Sequence, residues 1–146
     1  MVYKLSALLI LPVLLISCSG TRPDNLGIRN GRLAPCPGTP NCVSTFEKDR
    51  RSGIEPLNYT GTRQKAKKKL LKAIYSFKHS QIITEKEGYI QAEFKTLLWG
   101  FVDDVEFYLP DNEKVIHFRS ASRIGKFDFG VNRKRMEKIR ELFNKF

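Results

Sequence analysis

The spacing of apolar residues predicts two helices, one on each side of a run of strands. Between about Thr62 and Lys78, apolar side chains recur every three or four residues, which is the period of a helix with one buried face. A second such stretch begins near Asn132, a residue type that favours the N-cap position. The apolar positions are Ala66, Leu70, Ala73, Ile74 and Phe77 in the first stretch, and Met136, Ile139, Leu142 and Phe143 in the second.

Between these stretches the period falls to two, which is typical of strands with one buried face. The alternation predicts strands over 81–85, 89–97, 101–109 and 114–122. A further short strand at 54–59 is expected at a sheet edge, because Pro56 has no amide hydrogen to donate. The pattern as a whole predicts an α+β domain, a small antiparallel sheet with two helices packed on one face.

The register of the last two strands follows if the turn at 110–113 is symmetric. Apolar pairs then lie on one face and pairs of opposite charge on the other, which favours this alignment over a slip by one residue. The expected pairs are Val105 with Phe118, Phe107 with Ile116, Asp104 with Arg119, and Glu106 with His117.

The first eighteen residues have the features of an export signal. Lys4 precedes an apolar run over 5–16, and this run is too short to cross a bilayer as a helix. The last two residues of the run and the two that follow are Leu15-Ile16-Ser17-Cys18. This sequence resembles the lipobox of bacterial lipoproteins and predicts lipidation of Cys18. The alternative is an ordinary secretory signal in which the cysteine stands by chance.

The sequence therefore predicts a signal peptide over 1–17, a flexible tether over 18–32 and a single globular domain over 33–146. The tether is expected because 19–32 shows no apolar period. We expect an envelope protein held to a membrane by its lipid. By the sorting habit of lipoproteins, Ser19 favours the periplasmic side of the outer membrane in a double-membraned cell. In a cell with one membrane, the outer face of the plasma membrane is expected.

The net charge bears on the class of partner. It is +11 for the chain, and removal of Lys4 with the signal leaves 11 − 1 = +10. Basic domains bind nucleic acids or anionic surfaces, and export makes nucleic acid an unsuitable partner. Anionic lipid, an acidic polymer or another envelope protein remains, and the charge could also serve solubility alone.

Two further cysteines, Cys36 and Cys42, are separated by a short segment that contains two prolines and a glycine. Outside the cytoplasm such a pair is usually oxidised, so we expect a structural disulfide. The spacing is not that of a Cys-x-x-Cys redox motif. With only His79 and His117 elsewhere in the sequence, no metal ligand set is recognisable. No cofactor is expected.

The segment 119–135 is the strongest candidate for a binding site. It leaves a strand, crosses a loop that contains two glycines and enters a helix, whose first amides can bind an anion. Arginine side chains suit phosphate or carboxylate because they can donate two hydrogen bonds side by side. The expected anion-binding residues are Arg119, Ser120, Ser122, Arg123, Asn132, Arg133 and Arg135. The alternative is an ionic clamp between sheet and helix, in which Asp103, Asp104 and Asp128 pair with these arginines.

Several motifs resemble the bacterial and plastid family called domain of unknown function 1499, over roughly residues 33–143. The resemblance implies one small domain, often exported or attached to a membrane, and it implies no catalytic role. Thr39 and Thr45 stand where the family more often has serine. The motifs are Pro35-Cys36-Pro37, Pro40-Asn41-Cys42-Val43-Ser44, Phe101-Val102-Asp103-Asp104-Val105-Glu106-Phe107 and Arg119-Ser120-Ala121-Ser122-Arg123, with Gly125, Asp128, Gly130, Asn132, Arg133 and Arg135.

Three functions are compatible with these features. The first is a non-catalytic lipid-anchored protein that binds an anionic ligand or partner. The second is an enzyme for an anionic envelope substrate that uses Asp103, Asp104 or Asp128 as acid or base. The third is a structural adaptor. The absence of nucleophile, phosphate-loop and metal motifs argues against the second. Asp103 and Asp104 also point to opposite faces of their strand.

Overall fold

The computed structural model describes residues 19–96 and 100–146. The predicted signal peptide, Cys18 and position 97 of the strand predicted over 89–97 lie outside this range. No helix in the described ranges has the length and apolar character required to cross a membrane. The elements are β1 (Cys42–Ser44), β2 (Leu57–Asn58), α1 (Arg63–Tyr75), β3 (Ser80–Glu85), β4 (Tyr89–Lys95), β5 (Val102–Tyr108), β6 (Val115–Ser122) and α2 (Val131–Lys145).

The strands form one antiparallel sheet in the order β1-β6-β5-β4-β3, and β2 also pairs with β6. β1 pairs with β6 over 119–121, whereas β2 pairs with it at 115–116. Both helices pack on one face, and their apolar residues share a core with Ile90, Val105, Phe107 and Phe118 of the sheet. The predicted α+β class is confirmed.

The first helix begins as predicted. The hydroxyl of Thr62 accepts a hydrogen bond from the amide of Lys65 at 3.2 Å, which satisfies one of the free amides of the first turn. The predicted positions Ala66, Leu70, Ala73 and Ile74 are buried. Their spacing brings them onto a single stripe facing the sheet.

The prediction that Asn132 caps the second helix is wrong. The helix begins one residue earlier, at Val131, after Gly130 with a φ of +74°. The carboxylate of Asp128 accepts hydrogen bonds from the amides of Gly130 and Asn132, both at 2.9 Å. Asn132 thus lies in the first turn, and its side chain is free to bond to the sheet.

The predicted register of β5 and β6 is wrong by two residues. Phe107 lies opposite Phe118 and Glu106 opposite Arg119. Because the displacement is even, every side chain keeps its predicted face and only its partner changes. The connection is asymmetric because its ends bond elsewhere: the amide of Leu109 donates to Gly88, and the carbonyl of Lys114 accepts from Tyr59.

The face of the sheet opposite the helices is polar and also buried. We call residues 19–35, which lead across this face towards β1, the N-terminal arm. The Nε of Arg22 donates to Glu93 at 2.9 Å, and the amide of Gly27 donates to Glu106 at 2.6 Å. Two residues of the predicted tether, Arg22 and Gly27, are therefore bonded to side chains of the sheet.

The arm continues into a disulfide between Cys36 and Cys42, whose Cα atoms are 5.7 Å apart. The predicted bridge is confirmed. It links the end of the arm to the first residue of β1, and β1 pairs with β6 beside Ala121. The covalent link thus fixes where the chain joins the sheet.

Candidate functional site: a polar row beneath the N-terminal arm

Three polar side chains lie side by side on the arm-covered face, one on each of three neighbouring strands. Gln91 of β4 is opposite Glu106 of β5, and Glu106 is opposite Arg119 of β6. Paired positions in a sheet have Cβ atoms about 5 Å apart, so the three side chains are direct neighbours. Their exposed fractions are 6 %, 0 % and 4 %. We call Gln91, Glu106 and Arg119 the polar row.

The row holds four of the five buried side-chain N and O atoms that lack a hydrogen-bond partner in the described part of the chain. The atoms without a hydrogen-bond partner there are Gln91 Nε2, Glu106 Oε2, Arg119 Nε, Arg119 Nη1 and Asn25 Oδ1. Asn25 belongs to the arm, two residues before the amide that binds Glu106. Buried polar groups are nearly always paired, so this concentration in one place requires an explanation.

Glu106 is held through one carboxylate oxygen only. Its Oε1 accepts hydrogen bonds from the Tyr89 hydroxyl at 2.8 Å and from the Gly27 amide at 2.6 Å. Its Oε2 lies 3.6 Å from Nη1 of Arg119, which is too long for a hydrogen bond. The ion pair is therefore electrostatic, and hydrogen-bonding capacity remains at both ends.

Burial dominates the ionisation of the row. It raises the pKa of Glu106 above its usual value, because the bonds from Gly27 and Tyr89 and the charge of Arg119 only partly offset the lost hydration. Burial likewise lowers the pKa of Arg119, although a guanidinium stays charged at any physiological pH. Burial and the Glu106 charge together raise the pKa of Tyr89, so this phenol remains a hydrogen-bond donor.

A second group of charged residues lies on the same face, towards the end of β6. We call Arg22, Glu93, Asp104 and Arg123 the ion cluster. Arg123 donates to both oxygens of Asp104 at 2.7 Å, and it also contacts Glu93. Hydrogen bonds with Asp104 raise the pKa of Arg123. Burial opposes the ionisation of Glu93, but bonds from Arg22 and Arg123 outweigh it and lower the pKa of Glu93.

A third network lies on the helix-covered face, where α2 begins. Arg135 contacts Asp103 and donates to Oδ1 of Asn132 at 2.8 Å and to Ser120 at 3.2 Å. Nδ2 of Asn132 donates to Ser122 at 3.0 Å. These bonds join the start of the helix to the end of β6, and of the three aspartates in the alternative clamp only Asp103 forms an ion pair in this network of described residues.

The seven residues expected to form one anion cradle are thus divided by the sheet. Alternation along β6 sends Arg119 and Arg123 to the arm-covered face, and Ser120 and Ser122 to the helix-covered face. Arg133 lies apart and donates to the carbonyl of Gly53 at 2.8 Å. A single cradle over 119–135 is therefore not what the chain forms.

The three aspartates considered as acids or bases have other contacts. Asp103 contacts Arg135, and Asp104 is bound by Arg123. Asp128 forms no ion pair with a described arginine; its oxygens accept bonds from Asn132 and Gly130 at the helix start. Among the residues that the structure describes, no group of three or more His, Cys, Asp or Glu could hold a metal ion.

The sequence did not identify Gln91, Glu106 or Tyr89 as site residues. Each alternates with apolar neighbours, so it looks like part of a solvent-facing side of a strand. The one available signal was the opposite charge of Glu106 and Arg119, because a register displaced by two residues from the predicted one brings them opposite each other.

Comparison with known families gives a match. Residues 32–143, more than half of the chain, match a family described as "Protein of unknown function (DUF1499)". No curated protein matches the chain. The matched range contains the whole polar row but not Arg22, Asn25 or Gly27 of the arm. The chain belongs to the DUF1499 family, as its motifs suggested.

Proposed function

We propose that this protein is a non-catalytic lipoprotein of the cell envelope, anchored through Cys18, that binds a small oxygen-rich anion at the polar row. The observation that carries the binding proposal is the set of unsatisfied atoms on Gln91, Glu106 and Arg119. In a double-membraned cell we place the protein on the periplasmic side of the outer membrane. The lipid anchor rests on the lipobox-like sequence that ends at Cys18.

The balance of donors and acceptors favours an acceptor-rich ligand. Arg119 and Gln91 offer three unsatisfied nitrogen atoms, whereas Glu106 offers one unsatisfied carboxylate oxygen. A carboxylate or phosphate oxygen beside Arg119 would accept from these nitrogens. Hydrogen bonds between charged groups are the stronger kind, and a site shielded from water strengthens them further.

The charges on the arm-covered face determine how anion binding depends on pH. Three acidic side chains, Glu93, Asp104 and Glu106, balance three arginines there, namely Arg22, Arg119 and Arg123. An added anion disturbs this balance unless a carboxylate takes up a proton. Glu106 is the suitable one, because burial raises its pKa. Binding of the anion is therefore expected to strengthen as the pH falls.

A binding experiment with small anions tests this function. Calorimetry of the full mature protein with acetate and with phosphate, at about pH 5 and about pH 8, should give saturable binding that is tighter at the lower pH. Arg119→Met should weaken binding by about tenfold or more, since it removes a charged hydrogen bond. Arg133→Met is the matched control: it removes an arginine of the predicted cradle that lies outside the row, and binding should persist.

Two outcomes contradict the proposal. One is the absence of saturable binding by the wild-type protein to either anion. The other is equal binding by wild type and a folded Arg119→Met variant. The anchor is tested separately, by mass spectrometry of the mature amino terminus, where acyl chains on Cys18 are expected and an unmodified terminus excludes the anchor.

A second candidate function, catalysis, is favoured by one observation. Glu106 has a raised pKa, a hydrogen bond from Tyr89 and a neighbouring arginine, which together are typical of a general acid. This assigns the role to Glu106 instead of Asp103, Asp104 or Asp128. Turnover of an anionic substrate that Glu106→Gln abolishes, while substrate binding persists, would favour the enzyme over the binding protein.

A further inference from the structure

The loop between β6 and α2, together with the first residue of α2, exposes an unusual amount of apolar surface. Ile124, Phe127, Phe129 and Val131 have exposed fractions of 41 %, 61 %, 81 % and 39 %. We call residues 124–131 the apolar loop. Scattered apolar residues are ordinary on protein surfaces, but a contiguous group marks an interaction site.

The backbone holds the two aromatic rings outward. Asp128, between them, points inward and bonds to Gly130 and Asn132. Phe129 has a φ of +54°, an uncommon conformation for a residue with a bulky side chain. The rings of Phe127 and Phe129 meet edge to face at 5.0 Å. A conformation that costs free energy and exposes two rings points to a functional contact.

The position of Gly20, close to the proposed lipid anchor, indicates what the loop contacts. Gly20 packs against the loop so closely that a Cβ built on it would lie 2.9 Å from Cγ1 of Ile124. Cys18 precedes Gly20 by two residues, so the chain limits the distance between their Cα atoms to about 7 Å. Acyl chains on Cys18 would therefore enter a bilayer directly beside the apolar loop.

The charge next to the loop suits a membrane surface. Lys126 stands between Ile124 and Phe127 and is exposed, and Lys134 is exposed in the first turn of α2. Basic side chains near a bilayer surface are attracted to anionic phospholipid headgroups, and aromatic rings partition into the boundary between headgroups and acyl chains.

We propose that the apolar loop inserts Phe127 and Phe129 into the bilayer that carries the lipid of Cys18. This inference rests on the proposed lipid anchor. The loop gives the tethered domain a second, non-covalent attachment. Two attachment points close together fix the orientation of the domain, so that the β6–α2 end faces the membrane.

Fluorescence quenching by lipids provides the test. Full mature protein carrying Phe129→Trp is reconstituted in vesicles of phosphatidylethanolamine and phosphatidylglycerol whose acyl chains are brominated. The signal from Trp99, the single tryptophan of the sequence, is measured in the wild-type protein and subtracted. The brominated acyl chains should quench the fluorescence of the added tryptophan, and its emission maximum should shift to shorter wavelength.

Phe146→Trp is the matched control. Phe146 is also exposed, at 46 %, but it lies at the opposite end of α2 from the loop. A helix of this length separates the two ends by about 20 Å. The tryptophan at 146 should therefore remain unquenched.

Equal quenching at 129 and 146, or none at 129, overturns the proposal. A protein partner that covers the loop gives this second result, because the vesicles contain no other protein. Mass spectrometry of Cys18 in the same sample reports on the anchor independently. An acylated protein with an unquenched Phe129→Trp thus disproves loop insertion and leaves the anchor intact. Quenching without acylation supports the loop contact and disproves the anchor.

Discussion

Arg119 lies in β6 and Arg123 lies one residue beyond its end, on the same face of the sheet, and the two have opposite surroundings. Both are buried, with side chains 5 % and 6 % exposed, and both face carboxylates. Arg123 is bonded to Asp104 at 2.7 Å in two places, whereas Arg119 stands 3.6 Å from Glu106 with two nitrogens unsatisfied. Burial and opposite charge do not by themselves distinguish a structural ion pair from a binding group. What sets Arg119 apart is its unmade hydrogen bonds, and these support the proposed binding site.

The largest expected effect comes from breaking the ion cluster. Arg123→Ala leaves Asp104 buried without its partner, which should lower the free energy of unfolding by about 3–5 kcal/mol. Denaturant unfolding measures this change. Lys78→Ala, at an exposed position, is the control and should stay within about 0.5 kcal/mol of wild type. A loss below about 1 kcal/mol for Arg123→Ala would mean that the cluster is not a structural element.

The pH dependence of stability distinguishes the polar row from the ion cluster, because folding moves the pKa values of Glu93 and Glu106 in opposite directions from 4.5. The pKa of Glu93 is lowered by folding, so its contribution is present above pH 4.5 and is lost as the pH falls through the folded pKa. The pKa of Glu106 is raised, so its ionised form costs stability above the folded pKa. That cost disappears as the pH falls towards 4.5.

Two glutamine variants separate these contributions. Relative to Glu106→Gln, the wild-type protein should gain stability as the pH falls from neutral towards 4.5. Relative to Glu93→Gln, it should lose stability below 4.5. A pKa that differs by one between the folded and unfolded states corresponds to about 1.4 kcal/mol in the free energy of unfolding, which denaturant titrations over this pH range can measure. The same sign of change for both variants would contradict the contrast between row and cluster.

The smallest effect is expected for a carboxylate that belongs to neither group. Asp128→Ala removes the acceptor for two amides at the start of α2 and should cost about 1 kcal/mol. Asp128→Asn keeps an acceptor oxygen and should recover most of this loss. If Asp128→Ala cost as much as Arg123→Ala, Asp128 would have to take part in an ion pair that the structure does not contain.

The helix-covered half of the fold could be predicted from the sequence, because apolar burial leaves a period. Alternation located four of the strands, and the helical period located α1 together with the buried residues Leu70 and Ile74. The register of β5 and β6 could not be predicted, because backbone bonds with Gly88 and Tyr59, outside the hairpin, decide where its turn ends.

The arm-covered half could not be predicted for a different reason. The arm places polar groups on a polar face. Such packing gives the arm no hydrophobic period, and it leaves no sign in the strands that their polar face is covered. In the sequence, Glu106 therefore resembles a solvent-exposed residue, and residues 19–32 resemble a linker. Of the candidate site, Arg119 was identified from its residue type, but its partners Gln91 and Glu106 depended on the sheet register.

The arm also imposes an order of assembly on the protein. Its bonds from Arg22 to Glu93 and from Gly27 to Glu106 join residues that are 71 and 79 positions apart. A chain that emerges amino terminus first makes the arm before the strands on which it rests. Contacts over such long separations form slowly. The arm is thus made before the strands on which it rests, and it is among the last segments to settle onto the sheet.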